Sequence, residues 1–242
     1  MKNIKSALLF ILGILLIVYY CAGLFYDPAL VIYIKPLIIP TFLIYAIATN
    51  YEKLTLNYYL FVGLFFLNEV LILFWVNSLE LFSLALIASF FCYLSLLNLG
   101  YSSIKTVKIF TAPKGFTLFI FALNFFFLSG ILYILISAIT EVYLDVILVF
   151  NAIVAVFLGI TAVLYLGKFA NQKAYYYFFG AFALIFNDVF AAIGTYVVDN
   201  VVLNTFDRAL HFTSFFLIYL FVISDKKKVE NLLTDSQPSH LK

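Results

Sequence analysis

The sequence predicts an all-α membrane protein in which eight transmembrane helices form one bundle. Hydrophobic residues make up 66% of its 242 residues and charged residues only 11%, whereas a soluble domain carries about 25% charged residues. The mean hydropathy is +1.12. The apolar residues are gathered in long runs between short polar stretches, which is the pattern of a chain that crosses a membrane repeatedly.

Eight apolar runs reach the length of about 20 residues that a membrane-spanning helix needs. They show no strict alternation, so they are typical of helices rather than of barrel strands. The first run follows Lys2 and Lys5 like a signal peptide, but it lacks an A-x-A-like cleavage site and is long enough to span. The second contains Pro36 and Pro40, and short polar stretches close the others. The predicted spans are Ala7–Phe25, Ala29–Thr49, Leu56–Val76, Leu79–Tyr101, Gly115–Ala138, Val142–Gly167, Ala174–Val198 and Thr205–Ile223.

The basic residues predict that both termini are cytoplasmic. With this orientation, 12 of the 14 Lys and Arg residues lie on the cytoplasmic side, and only Lys35 and Arg208 lie on the other, as the positive-inside rule expects. Residues 1–224 then form one transmembrane domain. Residues 225–242 form a polar cytoplasmic tail, whose three lysines at 226–228 anchor the last helix. The richness in Phe, Tyr, Ile, Asn and Lys suggests an AT-rich bacterial genome, and so a multi-pass protein of a bacterial inner membrane.

Composition also excludes several classes of function. A formal net charge of +2 argues against a nucleic-acid partner. Cys21 and Cys92 lie in apolar runs without metal-ligand spacing, so we interpret them as core residues. No Ser/His/Asp arrangement, Gly-rich phosphate loop or metal-spaced cluster is evident, and the sequence predicts neither a cofactor nor a metal. It does not indicate an oligomeric state.

Four ionisable residues fall inside predicted spans, where such residues are costly and mark functional sites by default. They are Lys35, Glu69, Asp188 and His211. At 1.5 Å per residue, they lie about 9 to 15 Å below the outer ends of their predicted helices. Four different helices therefore carry ionisable groups at similar depth, which predicts one polar site in the outer half of the membrane.

Asparagines stand directly before both acidic residues. Asn68 precedes Glu69 in FLNEV, and Asn187 precedes Asp188 in FNDV. Their amides are expected to hydrogen-bond across helices at the same level. The two similar segments lie on the third and seventh spans, which suggests a parallel repeat of four plus four helices.

Simpler interpretations of these residues stay open at this point. Lys35 can extend along its apolar stem to the outer interface, and His211 can be a hydrogen-bonded interfacial residue. The two acids can form an inert interhelical cluster with Lys35 and the asparagines. The other intramembrane asparagines are interpreted as links between helices, namely Asn98, Asn124 and Asn151.

Two carboxyl groups in an apolar setting have a definite chemical use. One of them can remain protonated and act as a general acid while the other stays ionised. Glu69 and Asp188 are therefore the candidate catalytic residues. Lys35 would determine which of them ionises.

Several segments in chain order resemble the YhhN-like family of eight-span membrane proteins, whose characterised members are lysoplasmalogenases. Lys35-Pro36-Leu37 resembles the family's K-P-L segment, and residues 180–188 resemble its G-A-x-x-F-x-x-S-D stretch. Arg208-Ala209-Leu210 and the later Tyr219 resemble its closing R-A-L and Tyr motifs. The chain has Asn68-Glu69 where the family has Gly-Asp, and Asn187 where it has Ser. The family's His-x-x-Tyr in the fourth helix appears as 90–93 (FFCY), without the His.

The resemblance implies hydrolysis of the vinyl ether bond of a lysoplasmalogen, which yields a fatty aldehyde and a glycerophospho-alcohol. The substrate would be a lysophospholipid-like membrane lipid. Glu69 and Asp188 would share proton delivery and stabilisation of the oxocarbenium ion. The residues expected to bind substrate or tune charge are Lys35, Asn68, Asn187, His211 and Tyr219. The alternatives are a non-catalytic lipid-binding or sensory membrane protein and a small transporter.

Overall fold

The described part of the chain folds as eight α-helices. The computed structural model describes residues 2–25, 28–74, 78–104, 114–138, 141–198 and 200–224, and contains no β-strand within them. The predicted all-α class is therefore confirmed. The tail predicted at 225–242 lies outside the described residues.

Each helix coincides with one predicted apolar run. The helices are α1 (Lys2–Phe25), α2 (Pro28–Asn50), α3 (Leu56–Ile72), α4 (Leu79–Ile104), α5 (Lys114–Ala138), α6 (Val142–Phe169), α7 (Gln172–Tyr196) and α8 (Val201–Ile223), with a 3₁₀ turn at Tyr51–Lys53. Some helix bounds differ from the predicted runs: α1 starts at Lys2 rather than Ala7, α8 starts at Val201 rather than Thr205, and α3 ends at Ile72 rather than Val76. There, Leu73 and Phe74 donate their N–H groups to carbonyls three residues back, so the helix finishes in a tighter 3₁₀-like turn.

Polar residues start three of the helices. The side chain of Thr55 accepts the N–H of Tyr58 at the start of α3, and Asn171 does the same for Ala174 in α7. Asn200 caps α8 in this way. The caps satisfy N–H groups that lack intrahelical partners.

Six helices within the described residues are long and apolar enough to cross a membrane, namely α1, α2, α4, α6, α7 and α8. Two further apolar helical stretches, α3 and residues 122–137 of α5, are shorter. Many large apolar side chains are exposed, including Phe126 (74%) and Tyr133 (75%). An apolar surface of this kind suits contact with lipid. The structure is that of a multi-pass membrane protein.

All eight helices contribute buried side chains to one core, which includes Cys92. Its fully buried side chains include Phe61, Leu96, Leu158, Leu184 and Ile218. Cys21 is exposed, so its interpretation as a core residue is wrong.

Two of the three asparagines that the sequence predicts as links between helices form such hydrogen bonds, whereas the buried amide nitrogen of Asn124 has no partner among the described residues. Asn98 of α4 donates to Asn57 Oδ1 of α3 at 3.3 Å, and Asn151 of α6 donates to the carbonyl of Leu86 in α4 at 3.0 Å.

Lysines bind the last carbonyls of neighbouring helices at one end of the bundle. Lys168 of α6 donates to Ile104 O of α4 at 3.0 Å. Lys173 of α7 donates to Ser224 O, directly after α8, at 2.9 Å. Lys53 donates to the carbonyl of Ile223, the last residue of α8. Cations are favourable beside helix C-termini. Lysines that the sequence assigns to one side of the membrane thus lie at one end of the bundle.

Candidate functional site

A small cavity with charged walls lies near the opposite ends of four helices. Its volume is about 180 Å³, and we call it the charged cavity. At 1.5 Å per residue, Lys35 lies about 10 Å from the start of α2, and Glu69 about 5 Å from the end of α3. The polar residues that line it are Tyr19, Lys35, Glu69, Asn204, Asp207 and Arg208.

Lys35 and Glu69 form an ion pair in this cavity. Lys35 Nζ lies 3.0 Å from Glu69 Oε1, and the side chains are only 20% and 6% exposed. The interpretation that Lys35 extends to the outer interface is therefore wrong, because its ammonium group points into the bundle. The pair compensates the two charges in a setting where an isolated charge would be costly.

His211 lies beside this ion pair but is sealed from solvent. Its Nε2 is 3.9 Å from Glu69 Oε1, and its side chain is fully buried. The rings of Phe65 and Phe212 lie 4.9 Å from the imidazole, centroid to centroid. Neither ring nitrogen has a hydrogen-bond partner among the described residues. The interpretation of His211 as a hydrogen-bonded interfacial residue is therefore wrong.

Arg208 supplies a second buried cation. From the sequence it is expected only to lie on the outer side of the membrane. The structure begins α8 at Val201 rather than Thr205, so Arg208 lies almost two turns inside the helix. It is 8% exposed, and its guanidinium carbon lies 6.0 Å from the centre of the Tyr19 ring. A Cβ atom at Gly23 of α1 would overlap the guanidinium. The missing side chain of Gly23 therefore allows Arg208 to lie against α1.

A larger and more apolar cavity adjoins the charged one. Its volume is about 400 Å³, within the usual range for small-molecule sites, and we call it the apolar cavity. Lys35 and Ile72 line both cavities, so the two cavities are neighbours at these residues. The apolar cavity is walled mainly by side chains of α4 to α7, among them Phe82, Leu128, Leu132, Leu135, Leu148 and Ile185.

Asp188 is the acidic residue of the apolar cavity. Tyr93 donates its hydroxyl proton to Asp188 Oδ2 at 2.5 Å, and Asn187 donates from Nδ2 to Oδ1 at 3.2 Å. Asp188 is exposed and lines the cavity. No ion pair joins it to a cation within the described part of the chain. Asp188 is thus a carboxyl group held at both oxygens by neutral donors and accessible from an apolar space.

The structure brings most of the predicted site residues into two adjoining groups. Lys35 and Glu69 line the charged cavity, and His211 is buried beside Glu69, whereas Asp188 lies on the apolar cavity together with Asn68. The two carboxyl groups thus line different cavities, and Lys35 lies in the walls of both. Asn187 is buried, its amide nitrogen donates to Asp188 of the same helix, and its oxygen has no partner among the described residues. The expectation that Asn187 hydrogen-bonds across helices is therefore wrong.

Tyr219 lies away from both cavities. It is eight residues beyond His211, or about 12 Å along α8. Its hydroxyl accepts a hydrogen bond from Asn50 Nδ2 at 2.7 Å and lies 2.8 Å from Thr49 Oγ1. These partners end α2, so Tyr219 joins the ends of two helices.

Sequence reasoning missed four residues at these cavities: Tyr19, Tyr93, Asp207 and Arg208. For Tyr93 a signal was present, because it is the tyrosine that remains of the fourth-helix motif. For Arg208 the R-A-L resemblance was a signal, but the predicted start of α8 at Thr205 placed Asp207 and Arg208 at the outer helix end. Nothing in the apolar run around Tyr19 distinguishes it from the many other tyrosines.

No group of three or more His, Cys, Asp or Glu residues suited to a metal ion occurs in the part of the chain that the structure describes. Comparison with protein-family models finds no match, and neither do comparisons with curated proteins and with solved structures.

Proposed function

We propose that this protein is a membrane hydrolase that cleaves the vinyl ether bond of lysoplasmalogens. The observation that carries the proposal is the placement of Asp188 in the apolar cavity, beside a charged cavity that shares Lys35 and Ile72 with it. A lysoplasmalogen has a charged headgroup at one end, an alkenyl chain at the other and the vinyl ether bond between them. The two cavities match this order of chemical groups.

The proposed reaction begins with protonation of carbon. The Asp188 carboxyl group transfers its proton to the vinyl ether carbon farther from the ether oxygen, and the double-bond electrons form the new C–H bond. The product is an oxocarbenium ion. The Asp188 carboxylate, which the proton has just left, stabilises this cation from close range.

Water completes the reaction. It adds to the carbon that bears the ether oxygen and gives a proton to the Asp188 carboxylate, which restores the acid. The resulting hemiacetal transfers its hydroxyl proton to the ether oxygen as the C–O bond breaks. One water is consumed, and a fatty aldehyde and a glycerophospho-alcohol leave.

Tyr93 and Asn187 are proposed to orient the acid. Each donates to a different oxygen of Asp188, which limits rotation of the carboxyl group. A carboxyl group in a fixed orientation delivers its proton with less loss of entropy than a mobile one. Glu69 is proposed to act as the counter-ion of Lys35 rather than as a second acid.

The proposal includes the membrane topology that the sequence predicts. All eight helices would cross the membrane with both termini cytoplasmic, in two groups of four related by a parallel repeat. The lysines bound to helix ends would then face the cytoplasm, and the charged cavity would face the outer leaflet. A lipid from that leaflet would place its headgroup at the charged cavity.

A non-catalytic lipid-binding or sensory protein is the second candidate. The observation that favours it is the phenylalanine at position 90, where the resembled family has a histidine in its fourth helix. Both cavities would serve lipid binding equally well without turnover.

Aldehyde release distinguishes these two functions. The purified protein in detergent is incubated with lysoplasmenyl-ethanolamine, and the fatty aldehyde is measured by coupled oxidation. A saturated alkyl-ether analogue, which has no double bond to protonate, is the control substrate. We expect aldehyde from the vinyl ether only; a folded protein that releases none contradicts the hydrolase proposal and favours lipid binding.

A further inference from the structure

The charged cavity contains an equal number of basic and acidic side chains around one small space. Lys35 and Arg208 contribute the cations, and Glu69 and Asp207 the carboxylates. Binding a phosphate alone would leave a net negative charge among weakly solvated groups, which is costly. A zwitterion adds no net charge and offers each side chain a partner of opposite sign.

The cations retain hydrogen-bonding capacity for an anion. Lys35 carries three N–H donors, and only Glu69 pairs with it in an ion pair within the described residues. Arg208 carries five donors in a planar fork, and its contact with Tyr19 is through the ring face. Neither ion pair of the described residues includes Arg208. A guanidinium of this geometry is well suited to phosphate oxygens.

The carboxylates retain capacity for a cation. Asp207 Oδ1 is buried and has no hydrogen-bond partner among the described residues. A buried polar atom without a partner carries a free-energy cost that a ligand's donor would relieve. Glu69 uses Oε1 for Lys35, which leaves Oε2 as an acceptor. A primary ammonium group supplies three N–H donors for such oxygens, whereas a quaternary ammonium supplies none.

From these observations we propose that the charged cavity binds a phosphoethanolamine headgroup, with its phosphate at Lys35 and Arg208 and its primary ammonium at Glu69 and Asp207. The volume of about 180 Å³ is below the ~300 to 1,000 Å³ of drug-sized sites, which suits a headgroup rather than a whole lipid. The adjoining apolar cavity makes a lipid, rather than free phosphoethanolamine, the source of the group. This inference rests on the proposed function, whose substrate class it narrows.

Binding of a lipid that cannot be hydrolysed tests the inference. The probe is a saturated alkyl-ether lysophosphoethanolamine, and its dissociation constant is measured by titration calorimetry in detergent. The comparison ligands are the phosphocholine analogue, the alkylglycerol of the same chain length and soluble phosphoethanolamine. We expect the probe to bind about tenfold more tightly than the alkylglycerol, which corresponds to about 1.4 kcal/mol, and more tightly than the phosphocholine analogue.

Two variants locate the effect at Arg208. Arg208→Gln removes the cation, and Gly23→Ala displaces it, because the added Cβ would overlap the guanidinium. The end of a flexible side chain can move aside, so Gly23→Ala keeps the test valid even if Arg208→Gln does not fold. Gly13→Ala is the matched control in the same helix, since its added Cβ meets nothing within 4 Å. We expect both test variants to reduce the tenfold preference to about twofold or less and the control to keep it.

Equal binding of the probe and the alkylglycerol by the wild type would overturn the inference, as would an unchanged preference in both test variants. Binding of soluble phosphoethanolamine as tight as that of the probe would assign the site to a soluble ligand and overturn the lipid assignment. The probe has no vinyl ether, so its binding does not depend on turnover. Headgroup preference without aldehyde release would contradict the hydrolase proposal but support the headgroup site. Aldehyde release without headgroup preference would support the hydrolase proposal but overturn the headgroup site.

Discussion

Glu69 and Asp188 stand in similar sequence segments but in different surroundings. Glu69 is 6% exposed in its side chain and lies 3.0 Å from a lysine ammonium group. Asp188 receives hydrogen bonds from Tyr93 and Asn187, both neutral, and lines a cavity with mostly apolar walls. A fixed cation beside an acid stabilises its anion more than neutral donors do, and apolar surroundings favour the protonated acid.

An intramembrane carboxyl group acquires its role from its partners. Both acids occur after an asparagine and within an apolar run, so the local sequence does not separate them. The neighbouring helix distinguishes the two acids. Lys35 of α2 pairs with Glu69, and Tyr93 of α4 donates to Asp188. We therefore expect substitutions of Glu69 to affect mainly stability and substitutions of Asp188 to affect mainly turnover.

The largest expected effect is that of Asp188→Asn on turnover. The amide keeps the size of the side chain but cannot deliver a proton, and a general acid contributes about 10²- to 10⁴-fold to rate. Aldehyde release should fall by this factor, with little change in the thermal unfolding midpoint. Glu80→Gln, at an exposed position in the first turn of α4, is the control and should retain full activity. Undiminished release by Asp188→Asn would remove the residue from the reaction.

The next effect concerns the stability contributed by the Lys35–Glu69 pair. Lys35→Met leaves the Glu69 carboxylate buried without its cation, which typically costs about 3 to 5 kcal/mol. Adding Glu69→Leu removes the orphaned charge and should restore most of the lost stability. Unfolding by SDS in mixed micelles, followed by circular dichroism, measures both variants. If the double variant is as unstable as Lys35→Met, the two side chains do not act as a pair.

A smaller effect is expected for Tyr93→Phe. This change removes the hydroxyl that donates to Asp188 Oδ2 and keeps the ring. Loss of one charge-assisted hydrogen bond should lower kcat about tenfold with KM nearly unchanged. Tyr177→Phe is the matched control, because it removes another buried hydroxyl, one that donates to the carbonyl of Leu96. Equal losses of kcat in both variants would show that the effect is structural.

Much of the fold could be predicted because helix positions depend on the order of apolar and polar residues along the chain. Apolar runs and the polar stretches between them specify where helices begin and end, and the main errors are the end of α3 and the start of α8. The depth of a residue follows from the same count. Equal depth predicted one site that contains Lys35, Glu69, Asp188 and His211. The structure places Lys35, Glu69 and His211 together but Asp188 on a different cavity.

The division of the site into two cavities could not be predicted in this way. Depth is one coordinate of three, and the rotation of each helix and its neighbours depend on packing between distant parts of the chain. The partnership of Tyr93 with Asp188 and the position of Arg208 against Gly23 both depend on those coordinates. The position of Tyr219 outside the cavities could have been predicted from depth alone. It lies about 12 Å along α8 from His211, which is too far for a shared site.

The smallest expected effect tests whether His211 belongs to the ion pair of Glu69. Its Nε2 lies 3.9 Å from Glu69 Oε1, but that oxygen already has Lys35 at 3.0 Å, and aromatic rings surround the imidazole. A buried polar ring without hydrogen bonds costs about 1 to 3 kcal/mol. His211→Leu should therefore leave the unfolding midpoint unchanged or raise it by a few degrees. Its effect should be the same in a Glu69→Gln background, since residues that do not interact are additive. A lower midpoint that depends on Glu69 would instead show that the histidine contributes a second charge to the pair.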